Sequence, residues 1–176
     1  MKDRIFVVDG SAYLYRAYHA MPPLSTSSGQ PTGAVKGVTN MLMNLKKDSE
    51  DSAIVVVFDA KGKTFRSDIY SDYKANRPPM PEDLREQLNP IKSICRAMGF
   101  PLLEIEGVEA DDVIATISTM AKKSKYKCII SSLDKDLMQL VQDPDITMMD
   151  TMKNKIFNEK GVFEKFGVKP NQIIDM

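Results

Sequence analysis

Short apolar runs that end in acidic residues alternate with helical segments along most of this chain. The runs Arg4–Val8 and Ala53–Phe58 are rich in β-branched residues and lead directly into Asp9 and Asp59. An apolar run of this length, followed by a turn, predicts a strand buried on both faces. Helices between such strands imply right-handed crossovers. The sequence therefore predicts an α/β fold with a mostly parallel central sheet flanked by helices on both faces.

The remaining elements follow the same alternation of strand and helix. Weaker strands are predicted at Leu102–Ile105, Lys127–Ser131 and Ile146–Met149, with Lys155–Phe157 as an edge strand. Helices are predicted at 11–21, 34–47, 81–98 and 109–123, with short ones at 135–141, at 163–166 and from residue 170. Ser11 is the predicted N-cap of the first helix. The polar stretch 60–80 shows no clean periodicity and is predicted to be a loop.

Acidic residues collect at or just after the predicted strand ends and at helix starts. They are Asp9, Asp59, Glu109, Asp111, Asp112, Asp134 and Asp136. Parallel α/β sheets form their sites beyond the carboxyl ends of the strands, so these side chains are expected in one crevice. Divalent cations would compensate their mutual repulsion, and a carboxylate-rich set favours Mg²⁺ or Mn²⁺. The alternative for each acid is a helix cap or a favourable first-turn charge.

The chain contains few of the histidine and cysteine residues that other catalytic mechanisms require. His19 is the single histidine, so Ser-His-Asp or Cys-His catalysis would rest on one residue near a helix end. Cys95 and Cys128 are predicted core residues, and together with one histidine they argue against a structural zinc site. Neither GxxxxGK[ST] nor GxGxxG occurs, which argues against an ATPase or a dinucleotide enzyme.

Charge is unevenly distributed although the net charge is zero. Residues 61–77 contain five basic and two acidic side chains, and residues 104–112 contain five acidic ones. A basic strip beside an acidic pocket suits a polyanion held next to bound metal, and paired cations can hydrolyse phosphodiesters. The residues alone leave a nuclease, a phosphatase or two solvated patches open. An aspartate-nucleophile phosphatase would need a second acid where Ser11 stands.

Four segments make a more specific case: FVVDGSAYLYRAYHA, VVVFDAKGKTFRSDIYSDYKANRPPMPEDL, GVEADDVIAT and SSLDKDLMQLV. They resemble the flap-endonuclease family, which includes the 5′-3′ exonuclease domains of bacterial DNA polymerases. The resemblance covers essentially all 176 residues. It implies a PIN-like fold and metal-dependent hydrolysis of DNA at 5′ ends, flaps or nicks, in primer removal and repair.

The resemblance also assigns roles to individual residues. The seven acids above match the family's ligands for one or two Mg²⁺ or Mn²⁺ ions. Lys74 and Arg77 match basic residues around the scissile phosphate, and with Arg16, Arg66 and Tyr73 they match positions that contact DNA. Residues 60–80 match the arch or gateway that admits a free 5′ end.

The family pattern continues beyond this chain, with a GDxSDN metal-binding motif and a helix-hairpin region that grips duplex DNA. Residues 1–176 are therefore expected to be the N-terminal part of the catalytic domain, and a polymerase domain can follow it. The alternative is a catalytically impaired DNA-binding fragment that lacks the remaining ligands. The N-terminus shows no signal-peptide pattern and no stretch reaches about 20 apolar residues, so a cytoplasmic monomer is expected.

Overall fold

The computed structural model describes residues 3–50, 52–70, 72–74, 76–150 and 155–175. One sheet has the strand order β3-β2-β1-β4-β5-β6, in which every neighbouring pair is parallel except β5 and β6. Its strands are β1 Arg4–Asp9, β2 Ala53–Val57, β3 Leu102–Leu103, β4 Lys127–Ser131, β5 Ile146–Asp150 and β6 Lys155–Phe157. The mostly parallel sheet and the edge strand at Lys155–Phe157 predicted from the sequence are confirmed, and the structure shows this edge strand to be antiparallel.

Helices connect the parallel strands, as the alternation of segments predicts. They are α1 Gly10–Ala20, α2 Gly33–Asp48, α3 Phe65–Ile69, α4 Glu82–Ala97, α5 Ala110–Lys123 and α6 Glu159–Phe166, with 3₁₀ helices at Lys135–Leu140 and Pro170–Asp175. Among the residues described, no helix combines the length and the apolar character that crossing a bilayer requires.

The sheet separates two hydrophobic cores. Phe6 and Val8 of β1 point into the first core, which also contains residues of α1, α2 and α4. Val7 points into the second, which contains residues of α5 and α6. Cys95 lies in the first core and Cys128 in the second, both as free thiols, so the prediction that they are core residues is confirmed. Helices therefore cover both faces, and the carboxyl edge of the sheet stays between them.

The first helix has its N-cap two residues earlier than predicted. Asp9 is its N-cap, because Oδ1 of Asp9 accepts a hydrogen bond from the backbone N–H of Ala12 at 2.8 Å. The prediction that Ser11 caps this helix is wrong. Ser11 lies inside α1, and its hydroxyl accepts the backbone N–H of Asp59 at 3.1 Å. Ser11 thus ties the end of the β2 strand to the start of α1.

The polar stretch 60–80 contains a short helix, α3, where the sequence predicts a loop. Phe65, Ile69 and Tyr70 of this stretch are exposed, so no apolar stripe marks the helix in the sequence. The backbone N–H of Phe65 donates to the carbonyl of Gly107 at 2.8 Å, which ties the stretch to the loop before α5. Two positions of the stretch, 71 and 75, lie outside the described residues.

Candidate metal centre

The parallel register brings the acidic residues to one edge of the sheet. Asp9 is the last residue of β1 and is aligned with Val57 of β2, while Val8 is aligned with Ser131 of β4. Asp59 and Asp134 follow β2 and β4 within three residues. Acids that are up to 125 positions apart in sequence thus meet beyond the carboxyl ends of three adjacent strands.

Asp9 is the most deeply buried of these acids, with 4% of its surface exposed. Its Oδ1 accepts the N–H of Ala12, and its Oδ2 accepts the hydroxyl of Ser132 at 2.7 Å. Burial raises the pKa of Asp9, and the charges of Asp59 and Asp134 raise it further, while the two hydrogen bonds oppose the rise. The carboxylate is therefore held in one orientation in a site that disfavours its charge.

Asp59 and Asp134 also bind helix starts. Oδ1 of Asp59 accepts the N–H of Ala110, the first residue of α5, at 2.9 Å. Oδ1 of Asp134 accepts the N–H of Asp136 at 2.9 Å, and the N–H of Asp134 donates to Ser132 Oγ at 3.1 Å. Asp9 and Asp134 thus cap the helices that follow them, as the alternative expects, whereas Asp59 binds the start of α5 and not that of the next helix, α3. These contacts leave the second oxygens of Asp59 and Asp134 without a hydrogen bond from any residue described.

Asp111 has a different environment, because no described residue forms a hydrogen bond or an ion pair with its carboxylate, and the charge of Lys74 opposes only part of the rise in its pKa. Burial raises the pKa of Asp111 to about 6, and repulsion from Asp9, Asp134 and Asp59 contributes to the rise. Asp9, Asp59, Asp111 and Asp134 form what we call the four-acid cluster. Among the described residues, none of these four has a lysine or arginine within ion-pair distance.

Glu109 and Asp112 instead face basic residues from the 60–80 stretch. Lys74 Nζ lies 2.7 Å from Oε1 of Glu109, and the hydroxyl of Tyr73 donates to Oε2 at 3.1 Å. Arg66 binds both oxygens of Asp112, at 2.5 and 2.8 Å. Hydrogen bonds from Arg66 hold the pKa of Asp112 below its usual range. The predicted metal ligands and the predicted DNA-binding residues are therefore in direct contact here.

The remaining predicted site residues lie further out. Asp136 is exposed in the 3₁₀ helix after β4, and Arg16 is half-buried in α1. Arg77 is exposed, and its backbone N–H donates to the carbonyl of Lys74 at 3.0 Å. Asp136 contacts the four-acid cluster through its backbone N–H, which donates to Asp134, whereas no side-chain contact joins Arg16 or Arg77 to the cluster in the residues described.

Sequence reasoning missed Ser11 and Ser132, the two hydroxyls that order the acids. Ser132 touches both Asp9 and Asp134, and Ser11 holds the backbone of Asp59. Ser132 directly follows β4 and Ser11 lies two residues after β1, and this position beside a strand end is the signal that could have identified them. Their partners are 123 and 48 positions away, so the contacts themselves depend on the strand register.

A further acid at this edge of the sheet forms an ion pair with a lysine. Glu104 directly follows β3, and its Oε1 accepts a hydrogen bond from Nζ of Lys92, a lysine of α4 that is only 7% exposed. Lys92 Nζ also lies 5.6 Å from the centre of the Phe58 ring. Glu104 is thus neutralised within the fold, unlike the four-acid cluster.

The donor chemistry of the cluster suits a hard divalent cation. Its side chains offer oxygen atoms, and the raised pKa of Asp111 marks negative charge that Lys74 compensates only in part. Within the described part of the chain, no three acidic, histidine or cysteine side chains already form a group that could hold an ion. The residue types therefore fit Mg²⁺ or Mn²⁺, but the carboxylates must turn towards a common point to hold it.

Comparison with known proteins identifies relatives of this chain. The profile of a family described as "5′-3′ exonuclease, N-terminal resolvase-like domain" matches residues 4–167. DNA polymerase I of Pseudomonas aeruginosa is 56% identical over 171 residues, which cover 97% of this chain and 19% of that protein. A 5′-3′ exonuclease of Aquifex aeolicus is 44% identical over 171 residues, which cover 97% of this chain and 59% of that protein. The chain spans less than two thirds of either relative.

Solved structures share the fold at lower sequence identity. The flap endonuclease of bacteriophage T5, solved as a complex with DNA and metal ions, superposes with a TM-score of 0.77 at 22% identity. The match covers 97% of this chain and 64% of the T5 chain. The flap-endonuclease type of fold expected from the sequence is confirmed.

Proposed function

The chain belongs to the family of N-terminal 5′-3′ exonuclease domains, and on that premise we propose that it is the catalytic part of a metal-dependent 5′ nuclease. Its substrates are DNA phosphodiesters at 5′ ends and 5′ flaps, as in primer removal and repair. The observation that carries this proposal is the four-acid cluster, in which four carboxylates meet at the carboxyl edge of the sheet; burial, with repulsion from the other three, raises the pKa of Asp111 to about 6.

The cluster would hold Mg²⁺ or Mn²⁺, as one or two ions. A bound divalent cation can activate water and stabilise the leaving oxygen in phosphodiester hydrolysis. The chain's own contribution is to orient the carboxylates: Ser132 fixes Asp9, and Ser11 fixes the backbone of Asp59. Glu109 and Asp136, which the family resemblance also assigns to metal binding, border the cluster and remain predicted ligands.

The basic residues beside the cluster would bind the phosphate backbone. Lys74 lies against Glu109 at the start of α5, and Arg77 follows three residues later with its side chain exposed. Positive charge at this point would stabilise the charge that develops on the phosphoryl oxygens. Arg16 and Tyr73 are the further candidates for DNA contact. The T5 relative in the fold comparison was solved with DNA and metal ions, which supports this class of substrate.

The 60–80 stretch is proposed as the gateway for the free 5′ end. It begins where β2 ends at the acidic edge and carries five basic residues. Because the chain spans 19% of the Pseudomonas DNA polymerase I, a polymerase region in the same polypeptide is the proposed partner.

A 5′-labelled flap duplex tests the proposal directly. The purified protein should release short 5′ fragments in Mg²⁺ or Mn²⁺ and none in EDTA. Asp111→Asn should remove cleavage while the protein still melts cooperatively. Asp145→Asn, at a half-buried acid that the structure pairs with Lys122 away from the cluster, serves as the matched control.

The alternative is a DNA-binding fragment without catalytic competence. In that case the protein would retard the flap duplex in a gel but release no fragment at any concentration of either cation. Equal cleavage by Asp111→Asn and the parent chain would exclude the cluster as the catalytic centre.

A further inference from the structure

We propose that Asp112 and Arg66 form a positioning pair that ties the 60–80 stretch to α5, rather than acting as a metal ligand and a DNA contact. The inference rests on the proposed nuclease function and assigns these two residues a different part in it. It follows from the geometry of the pair, from the charges around each acid of α5 and from what the pair holds in place.

Arg66 and Asp112 form a bidentate salt bridge. Nη1 of Arg66 lies 2.5 Å from Oδ2 of Asp112, and Nη2 lies 2.8 Å from Oδ1. Oδ2 of Asp112 also accepts the backbone N–H of Glu109 at 3.2 Å. Both carboxylate oxygens are therefore engaged within the fold, in an arrangement that favours one fixed orientation.

The charges around the first turn of α5 separate Asp112 from its neighbour Asp111. The acids that repel Asp111 are Asp9, Asp134 and Asp59, and Lys74 opposes them in part. Asp112 is held instead by the hydrogen bonds of Arg66 and the backbone of Glu109, with Lys74 as a further positive charge. Consecutive residues of a helix point about 100° apart, so Asp111 and Asp112 leave α5 in different directions. Asp111 faces the four-acid cluster and Asp112 faces the basic stretch.

The Arg66–Asp112 pair also restrains nearby residues of the 60–80 stretch. Arg66 is the second residue of α3, and eight residues later Lys74 reaches Glu109, the N-cap of α5. Tyr73 donates to the same carboxylate. The contact of Arg66 with Asp112 thus fixes one point of the stretch close to the place where Lys74 must lie to meet a scissile phosphate.

Direct measurement of Mn²⁺ binding separates a positioning role from ligation. Asp111→Asn should weaken Mn²⁺ binding at least tenfold, whereas Asp112→Asn and Arg66→Met should change it less than about twofold. Asn keeps the size of Asp112 and its capping oxygen, and cooperative melting shows which variants fold. An equal loss of Mn²⁺ affinity in Asp112→Asn and Asp111→Asn would overturn the inference. If Asp111→Asn alone fails to lower the affinity, the metal assignment of the proposed function is wrong instead.

Turnover in combined variants separates positioning from general stability. At saturating cation and flap DNA, Arg66→Met and Lys74→Met should each lower kcat several-fold. If Arg66 acts by placing Lys74, adding Arg66→Met to Lys74→Met should lower kcat little further. Arg66→Lys keeps the positive charge but cannot form the bidentate contact, so its kcat should lie between those of the parent protein and Arg66→Met. Independent, multiplicative losses in the double variant would show that Arg66 does not act through Lys74 and would overturn the inference.

Discussion

Ser132 donates a hydrogen bond to Asp9 across the gap between two adjacent strands, with 2.7 Å between Oγ and Oδ2. Ser132 is 2% exposed and Asp9 is 4% exposed, so this contact is shielded from water. The same hydroxyl accepts the backbone N–H of Asp134 at 3.1 Å. One serine thereby sets the relative position of two acids of the four-acid cluster.

Ser132→Ala should weaken Mn²⁺ binding about tenfold, because groups that orient metal ligands have effects of this size. Titration calorimetry with Mn²⁺ measures the change. Ser131→Ala is the matched control, since the Ser131 hydroxyl pairs with the Tyr13 hydroxyl at 2.6 Å and not with an acid of the cluster. The control should lose about 1 kcal/mol of unfolding free energy and keep its Mn²⁺ affinity. Equal Mn²⁺ affinities in both serine variants would contradict this role.

Asp111→Asn should stabilise the fold at neutral pH in EDTA. The pKa of Asp111 rises from 3.8 to about 6 on folding, so between these values the folded chain binds more protons than the unfolded chain. The free energy of unfolding therefore falls as pH rises through this window. At pH ~7.5 the variant should be more stable by on the order of 1 kcal/mol, after allowance for solvent screening, and below pH ~4 the gain should vanish. Urea unfolding at both pH values measures it, and a loss of stability at pH ~7.5 would show that the charge is structural.

Gly10→Ala should destabilise the protein, although alanine is normally the better helix former. A Cβ at Gly10 would lie 2.7 Å from carbons of the Phe58 ring, which is 2% exposed. The ring or α1 must move, at a cost of about 1–3 kcal/mol. Gly161→Ala in α6 is the control, because its Cβ would meet its nearest neighbour at 3.4 Å. Thermal melts of both variants test the contact, and recovery of stability in Gly10→Ala with Phe58→Leu would identify the ring as its cause.

Gln87→Leu should lower the free energy of unfolding by about 2–3 kcal/mol. The side chain is 2% exposed, and its Oε1 accepts the backbone N–H groups of Ala34 and Val35 at 2.7 and 3.1 Å. These are first-turn donors of α2, whose N-cap residue makes no side-chain cap, so leucine would leave them buried without a partner. Denaturant unfolding measures the loss. Gln139→Leu, at an exposed position, should change stability by less than about 0.5 kcal/mol, and a similar change in both variants would refute the capping role.

Much of the fold could be predicted because the strands are buried on both faces. The runs ending at Asp9 and Asp59 have no polar interruption, and only a covered parallel strand satisfies that pattern. The short helix α3 could not be predicted, because Phe65 and Ile69 are exposed and bury no stripe. The error at Ser11 has a local cause: Asp9 and Ser11 both suit an N-cap, and the choice depends on where β1 ends.

The site was predictable at the level of elements and not of side-chain partners. Acids at strand ends must reach the carboxyl edge of a parallel sheet, so their approximate location follows from the pattern alone. Which acid meets a base depends on the path of the 60–80 stretch, which brings Arg66 to Asp112 from 46 positions away. Sequence spacing treats Asp111 and Asp112 alike, and the structure places them in opposite electrostatic surroundings.

The Lys92–Glu104 pair provides an internal reference for measuring ion binding at the carboxyl edge of the sheet. Glu104 lies at the carboxyl end of β3 as Asp9 and Asp59 lie at those of β1 and β2, yet a buried lysine already neutralises it. When a divalent ion is titrated into protein with labelled carboxyl carbons, the NMR signals of the four-acid cluster should move and that of Glu104 should stay in place. An internal standard of the same chemistry and at the same edge of the sheet thus allows ion binding to be distinguished from a general change in the fold.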